Sequence, residues 1–335
     1  MYVSEWENGK RTISDRYAAI LRQILGVTDA ELRASRPKPA PSLADGYDEL
    51  LSRIDSASSV GQSMVKSFND QTELLRTMDR QMGASGLVDQ MTGHLAALED
   101  SLNFAVLPSA RRPVALALAG ASTLAAWQAI DSGAVERAWR HYELAKRAAH
   151  DAEAPMYLAH AMGEQAYVLC EAGRPALGLE LVRDAQRTLG RAGSPRLRAW
   201  LCAAEAELCA HAGFPDDCQR ALEAAVASIP PGPEDRDPDM LSIFLNDAHL
   251  ARWRGNVLAL LGDDDAVTSL YGALDVVDPT FVRAQAGLHG DLVQAHLARG
   301  EYDDASTHLR QARLLASRTG SVRQRRRIDL LSARL

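Results

Sequence analysis

Aromatic residues make up only 5% of the chain, and long runs of β-branched residues are missing. Sheets are built largely from these two classes, so their scarcity argues against a β-sheet core. Alanine, leucine and arginine dominate instead, and these residues favour helix. With 47% hydrophobic residues over 335 positions, the chain can bury a sizeable core. The composition predicts an all-α protein.

Cysteine is scarce, and its spacing does not fit a metal site. The four cysteines fall inside helical patterns and form no CxxC pair, so we expect buried thiols rather than a zinc site or disulfides. The histidines show no metal-ligand spacing either. The sequence therefore predicts no metal and no cofactor. The cysteines are Cys170, Cys202, Cys209 and Cys218.

Motifs of catalysis and of membrane insertion are missing as well. The chain has no GxSxG, no phosphate-binding GxxxxGK and no HExxH, so we predict that it is not an enzyme. The N-terminus lacks an apolar signal segment, and polar residues interrupt the longest apolar stretch, residues 113–130. A cytoplasmic protein without a membrane span is predicted. The net charge of −7 leaves room only for a small DNA-reading module.

A recurring unit begins at about residue 113: an apolar helix, a short turn with glycine, and a second apolar helix. The turn glycines are spaced by 40, 40, 49 and 38 residues, and the longest spacing contains a loop rich in Pro and Asp at 229–239. Glycine suits the turn because the helix must end in a left-handed residue before the chain reverses. The five turn glycines are Gly133, Gly173, Gly213, Gly262 and Gly300.

The second helix of each unit has its own signals. Pro175 and Pro215 follow their turn glycines by two residues and suit the first turn of a helix. A residue that is small in all units but one occurs five positions after the glycine, where two helices would cross closely. These residues are Ala138, Gly178, Cys218, Val267 and Ala305.

The repeat resembles the tetratricopeptide family over residues 113–320. The unit at 255–279 matches best, with Gly255, Leu258, Gly262 and Tyr271 at the motif positions and a proline closing the unit. Units of this family are usually about 34 residues long, so longer helices or irregular units are implied here. The resemblance implies a tetratricopeptide-like α-solenoid over residues 113–335 whose concave face binds a peptide or a partner protein.

Aligning the units on their turn glycines selects an inner stripe on the first helices. Aromatic and amide side chains are the groups that grip an extended peptide, so we predict a ligand groove along this stripe. His160, Trp200 and His249 lie one or two turns further back. The alternative role for the aromatic residues is packing between repeats. The predicted groove residues are Trp127, Tyr167, Glu207, Arg252, Asn256 and Gln294.

Residues 1–35 carry the most specific motifs of the chain. The segments VSEWENGKR at 3–11 and SDRYAAILRQILGV at 14–27 resemble the second half of the repressor-type helix-turn-helix domain of the xenobiotic response element family. The first segment closes the recognition helix in that family, and the second is the helix packed behind it. The resemblance implies Tyr2, Ser4 and Glu5 near base edges or phosphates, and Lys10 and Arg11 against the phosphate backbone.

This helix-turn-helix domain is a truncated remnant as the sequence stands, because a complete one has two further helices before the recognition helix. We expect that the start codon is assigned too late and that roughly 30 or more residues precede Met1. The alternative is that the protein has lost DNA binding.

The chain between the two recognisable parts divides at a proline-rich linker, residues 36–42, which contains three prolines. Residues 43–112 follow as a helical connector, with one long helix predicted over 43–82 and a second helix after a glycine break. We favour this connector as the first hairpin of the array over a dimer-forming coiled element. At the far end, we expect Arg323, Arg325, Arg326 and Arg327 to lie on the solvated face of a capping helix.

Together these features predict a DNA-binding transcriptional regulator. In this interpretation the protein is a homodimer, and its repeats sense a peptide or partner protein and shift the spacing of paired DNA-binding heads. The alternative is a scaffold that binds a protein partner and never touches DNA.

Overall fold

The computed structural model describes residues 13–26, 28, 43–58, 61–191, 193–231, 236–240 and 242–335. Within these ranges there are fifteen helices, and the one strand-like feature is an isolated bridge between Arg236 and Phe244. The prediction of an all-α protein is confirmed. In chain order the helices are α1 (Asp15–Leu25), α2 (Leu43–Ser58), α3 (Gln62–Met82), α4 (Val88–Phe104), α5 (Pro108–Asp131), α6 (Val135–Asp151), α7 (Pro155–Glu171), α8 (Pro175–Leu189), α9 (Pro195–Ala212), α10 (Pro215–Ser228), α11 (Asp247–Leu261), α12 (Ala266–Val276), α13 (Val282–Ala298), α14 (Tyr302–Thr319) and α15 (Val322–Ser332).

The chain divides into two units at residues 53 and 54. The described part of the first unit contains α1, which ends at Gly26 in the left-handed conformation, as the sequence predicts. Its apolar residues Ile20 and Ile24 are exposed. The predicted domain boundaries at 35, 42 and 112 stay predictions.

Helical hairpins make up most of the described residues between 108 and 319. Consecutive helices pack as the pairs α5–α6, α7–α8, α9–α10, α11–α12 and α13–α14. All five predicted turn glycines have φ between 72° and 81°, a conformation that strains any residue with a Cβ. Pro175 and Pro215 begin α8 and α10. These turn predictions are confirmed.

The two helices of a hairpin approach closely near the predicted small residue. A Cβ on Gly178 would lie 2.8 Å from the carbonyl oxygen of Ala166, so only glycine fits there without a shift. The hairpin of α11 and α12 departs from the pattern by one residue, because Ala266 at the start of α12 is fully buried while Val267 is half-buried. The other predicted residues are buried, namely Ala138, Cys218 and Ala305.

The connector holds the one wrong helix prediction of this region. Instead of a single helix over 43–82, α2 ends at Ser58 and α3 begins at Gln62, with Gly61 in an extended conformation before it. Glycine lowers helix stability by about 1 kcal/mol relative to alanine, so the chain breaks where Gly61 falls. The second predicted helix is α4. It packs on α5, next to the first hairpin.

The first helices of the hairpins form a closed ring with α15. Each of α5, α7, α9, α11, α13 and α15 contacts the next, and α15 contacts α5 in turn. We call these six helices the inner ring. Ser321, just before α15, donates a hydrogen bond of 2.6 Å to Asp131 at the end of α5. α3 also connects the two ends of the array, because it packs on α5 at one end and on α13 and α14 at the other.

α5 is long and apolar enough to cross a membrane, judged by length and composition alone, and no other helix of the described residues passes this test. However, 78% of its apolar window is buried inside the protein. The helix is apolar because it packs against five other helices, namely α3, α4, α6, α7 and α15.

Candidate ligand-binding cavity

A cavity of about 310 Å³ lies inside the inner ring. All six helices of the ring contribute lining side chains, and α3 and the segment before α11 complete the wall. A volume of this size suits a small ligand. The cavity is thus a candidate ligand site that the repeats themselves form.

Aromatic rings from four neighbouring helices of the ring form one wall of the cavity. The rings of Trp127 and Tyr167 meet edge to face with centroids 6.0 Å apart, and so do those of Trp200 and Trp253. His160 joins the wall through an edge contact of 5.2 Å with Trp200. Edge-to-face packing of this kind stabilises aromatic clusters. This wall gives the cavity an apolar side.

Two carboxylates in this wall are satisfied by the aromatic residues themselves. Glu207 accepts hydrogen bonds from the Tyr167 hydroxyl at 2.9 Å and from the Trp253 indole N–H at 2.8 Å. Glu164 accepts one from the Tyr142 hydroxyl at 3.2 Å. Burial, together with the adjacent carboxylates, raises the pKa of both tyrosines well above the usual value. Both tyrosines therefore remain donors.

Three arginines near the cavity are paired with carboxylates from distant helices. These pairs join α13 and α15 to α3, α5, α7 and to each other, so they hold the ring closed. A buried guanidinium forms strong, directional bonds to carboxylates. The pairs are Arg283 with Asp79 at 2.5 Å and with Asp131 at 3.6 Å, Arg323 with Glu171 at 2.5 Å, and Arg327 with Asp291 at 2.5 Å.

Two further arginines, Arg80 and Arg252, form no ion pair within 4 Å among the described residues. The Arg80 guanidinium stands over the rings of Phe244 and Phe281, 5.1 and 5.6 Å from their centroids. Burial, then the neighbouring arginines, lower its pKa to about 10. Arg252 lies over Trp253, and its Nε is buried without a hydrogen-bond partner. The cavity therefore contains positive charge that the protein leaves uncompensated.

His249 lies between these two arginines. Burial first, and then the charges of Arg252 and Arg80, lower its pKa to about 4. Its Nδ1 is 2.6 Å from the Asn246 side-chain oxygen, which also caps α11. The imidazole is therefore neutral near pH 7, and the positive charge at this place belongs to the arginines.

Hydrogen-bond acceptors without partners complete the lining. Asn256 donates to Asp291 at 2.7 Å, but its Oδ1 is buried and unsatisfied. The Oε1 of Gln324 on α15 is also buried and unsatisfied. Buried polar atoms without partners are uncommon, and in a cavity they mark places where a ligand atom can bind.

The structure brings five of the six predicted groove residues together in this cavity. Of the six, only Gln294 lies outside the lining. Its side-chain amide donates a hydrogen bond of 3.2 Å to the carbonyl oxygen of Ala259, which joins α13 to α11. The predicted DNA-binding residues Tyr2, Ser4, Glu5, Lys10 and Arg11 lie outside the described residues. The groove residues in the lining are Trp127, Tyr167, Glu207, Arg252 and Asn256.

The prediction that the C-terminal arginines are all solvated is wrong for two of them. Arg323 and Arg327 are half-buried, face the cavity and form ion pairs, whereas Arg325 and Arg326 are exposed. Positions four apart share a helix face, so this division follows the helical period. The sequence reasoning also missed Arg80, whose helix lies outside the repeats.

The expectation that the cysteines are buried holds for three of the four, Cys202, Cys209 and Cys218, while Cys170 is half-buried. Burial raises the pKa of Cys170 to about 12, so it remains a thiol. One group of the described residues could hold a metal ion: His296, Glu301 and Asp304. The Nδ1 of His296 already contacts Glu301 at 2.7 Å, and Asp304 is exposed.

A scan of the chain against known family models and a search of curated proteins both find no match.

Proposed function

We propose that this protein is a ligand-sensing transcriptional regulator. Residues 113–335 act as a tetratricopeptide-like α-solenoid that binds a ligand inside the inner ring, and residues 1–35 act as part of a DNA-binding head in a homodimer. The observation that carries the proposal is the cavity, in which two arginines lack counterions. Both arginines are half-buried. A half-buried charge without a counterion lowers the stability of the fold, so its presence in a cleft indicates a binding site.

Two features support the role of the cavity. The first helices of the units supply its wall, as the inner-stripe prediction requires. The lining also combines rigid aromatic rings with a few polar atoms that lack partners, which is typical of ligand sites.

The helices of the wall offer a physical means of regulation. A ligand that contacts α3 and α15 binds the closed ring more tightly than a state in which α15 is detached. Its binding therefore shifts the population towards the closed ring, to an extent set by the difference between the two affinities. α2, which precedes α3 in the chain, spans the boundary between the two units. Ligand binding would thereby change the order of the segment that leads to the head.

DNA binding is tested by fluorescence anisotropy with labelled DNA from upstream of the protein's own coding sequence, over a series of salt concentrations. A scrambled DNA of equal length is the reference. We expect specific binding that weakens with salt, from this chain or from one extended by in-frame upstream codons. Lys10→Gln with Arg11→Gln should lower the salt slope by about 2.

The control for that double variant is Arg325→Gln with Arg326→Gln, which removes the same charge from an exposed face of α15. It should leave the slope unchanged. If neither chain binds the upstream DNA more tightly than the scrambled DNA, the DNA-binding proposal fails. The scaffold alternative, which the net charge of −7 favours, would then explain an array that still binds a ligand.

A further inference from the structure

We infer that the cavity takes a ligand in which a carboxylate and an N–H group stand beside an aromatic ring. The inference rests on the proposed role of the cavity as a ligand site. This arrangement occurs in an N-acylated aromatic amino acid and equally at the C-terminal residue of a peptide. The two sources share one chemistry, and the experiment below distinguishes them.

The carboxylate is assigned to the place where Arg80, Arg252 and His249 converge, which we call the anion corner. Arg252 follows His249 by three residues on α11, so the two share a helix face. Arg80 comes from α3 and stands over Phe244, whose ring centroid is 4.5 Å from that of His249. Two guanidinium groups from different helices thus face one space.

The charges around the anion corner do not neutralise it. Arg76 and Arg236 lie nearby but share one carboxylate, Glu73, at 3.1 and 3.5 Å. Asp79 is engaged by Arg283. Arg80 and Arg252 therefore have no carboxylate of their own within ion-pair distance among the described residues, and a carboxylate from a ligand can bind their N–H groups in the bidentate manner that guanidinium favours.

The aromatic part of the ligand is assigned to the rings beside the anion corner. Phe244 and Phe281 meet edge to face with centroids 6.0 Å apart, and so do Trp200 and Trp253. These four rings belong to the cavity wall. A flat ring from a ligand can add a further edge-to-face or offset contact to such a cluster.

The N–H group is assigned to Asn256, one helical turn beyond Arg252 on α11. Its Oδ1 is buried without a partner, so an N–H from the ligand would satisfy it. A phosphorylated ring would meet the arginines but offer Asn256 no donor. The cavity volume of about 310 Å³ also restricts the ligand to a compact group rather than a long extended peptide.

The test is calorimetric titration of the full chain with N-acetyl-phenylalanine and with N-acetyl-phenylalaninamide, which differ only in the carboxylate. The peptide Gly-Gly-Gly-Gly-Phe, with a free or an amidated C-terminus, forms the second pair. We expect each acid to bind at least about tenfold more tightly than its amide, as for a hydrogen bond to a charged group. Tighter binding of N-acetyl-phenylalanine would identify the ligand as an N-acylated amino acid, and tighter binding of the peptide acid would identify it as a peptide C-terminus.

Matched variants locate the effect. Arg252→Gln and Arg80→Gln should each weaken acid binding about tenfold or more and leave amide binding unchanged. Arg326→Gln, on the exposed face of α15, is the control and should bind as the unchanged protein does. Thermal unfolding of each variant verifies folding, and Arg252→Lys, which keeps the charge but loses the bidentate geometry, should show an intermediate loss.

The inference is overturned if acid and amide bind equally, if neither binds, or if the arginine variants bind the acid as well as the control does. The DNA titrations of the same preparations separate this failure from that of the proposed function. Specific DNA binding without a preference for the acid would refute only the ligand class. Acid binding without DNA binding would refute only the regulator.

Discussion

Arg283 joins three helices that are far apart in the sequence. From α13 it reaches Asp79 on α3 and Asp131 on α5, and its side chain is only 13% exposed. Burial raises the pKa of Asp79 although the charge of Arg283 opposes this shift. The carboxylate therefore depends on its arginine to remain charged inside the protein.

Replacing Arg283 by methionine should destabilise the fold strongly, because two buried carboxylates would lose their counterion. Removing one partner of a buried ion pair costs about 3–5 kcal/mol. Asp79→Asn should cost less, about 2 kcal/mol, because Asp131 still faces the arginine. Since the residues are in contact, the double variant should cost less than the sum of the two by about 1 kcal/mol or more.

The measurement is urea unfolding of the full chain, followed by circular dichroism, for the four members of this cycle. Arg326→Met, which removes the same side chain from an exposed position on α15, should change stability by no more than about 0.5 kcal/mol. The reasoning is refuted if Arg283→Met lies within about 1 kcal/mol of this control, or if the two single effects simply add.

Three other outcomes follow from the structure. Gly178→Ala should lower the free energy of unfolding in urea by about 1–3 kcal/mol, because its Cβ would press on the Ala166 carbonyl. Gly213→Ala, with φ of 81° and open space around it, should lower it by only about 1 kcal/mol. Equal losses would contradict the argument that α7 and α8 approach closely at Gly178. Stability should fall as pH drops from about 6.5 towards 4, because His249 is held neutral in the folded state and the unfolded chain binds the extra proton; its share is up to about 3 kcal/mol. His249→Gln should reduce this pH dependence, and an unchanged slope in pH-dependent melts would contradict the shift. Tyr167→Phe should cost about 1–2 kcal/mol in thermal unfolding because Glu207 loses a donor, with the exposed Tyr302→Phe as the matched control.

The features that could be predicted from the sequence are those set by local backbone chemistry and helical period. The turn glycines and the prolines at the start of α8 and α10 act within a few residues, so their signals survive in a single sequence. The inner stripe could be predicted for the same reason, because a fixed distance from Gly213 or Gly262 selects a face of the preceding helix. In the fourth hairpin the buried small residue is Ala266, one position before the predicted Val267. The pattern is altered there because α12 begins four residues after Gly262, whereas the second helices of the other hairpins begin two residues after their glycines.

The rest of the site depends on contacts between distant segments, which no local pattern encodes. Arg80 and Phe244 reach the cavity from a connector helix and from the irregular segment before α11. The sequence suggested that Arg323 and Arg327 are solvated charges on a terminal helix, because no neighbouring residue indicates their ion pairs with Glu171 and Asp291. Gly61 broke the predicted long helix although the apolar pattern runs through it. Period alone therefore overestimated that helix.

The closing contact between Ser321 and Asp131 sets the number of hairpins that the array can have. In an open repeat array each unit touches only its neighbours, so units can be gained or lost at little cost. Here a hairpin added or removed would carry α15 away from α5 and separate two ends that now hydrogen-bond at 2.6 Å. Gly83 and Thr319 also approach so closely that a Cβ on the glycine would overlap the Thr319 carbonyl. The number of units can vary in an open array, but the contacts between the two ends fix it in this protein.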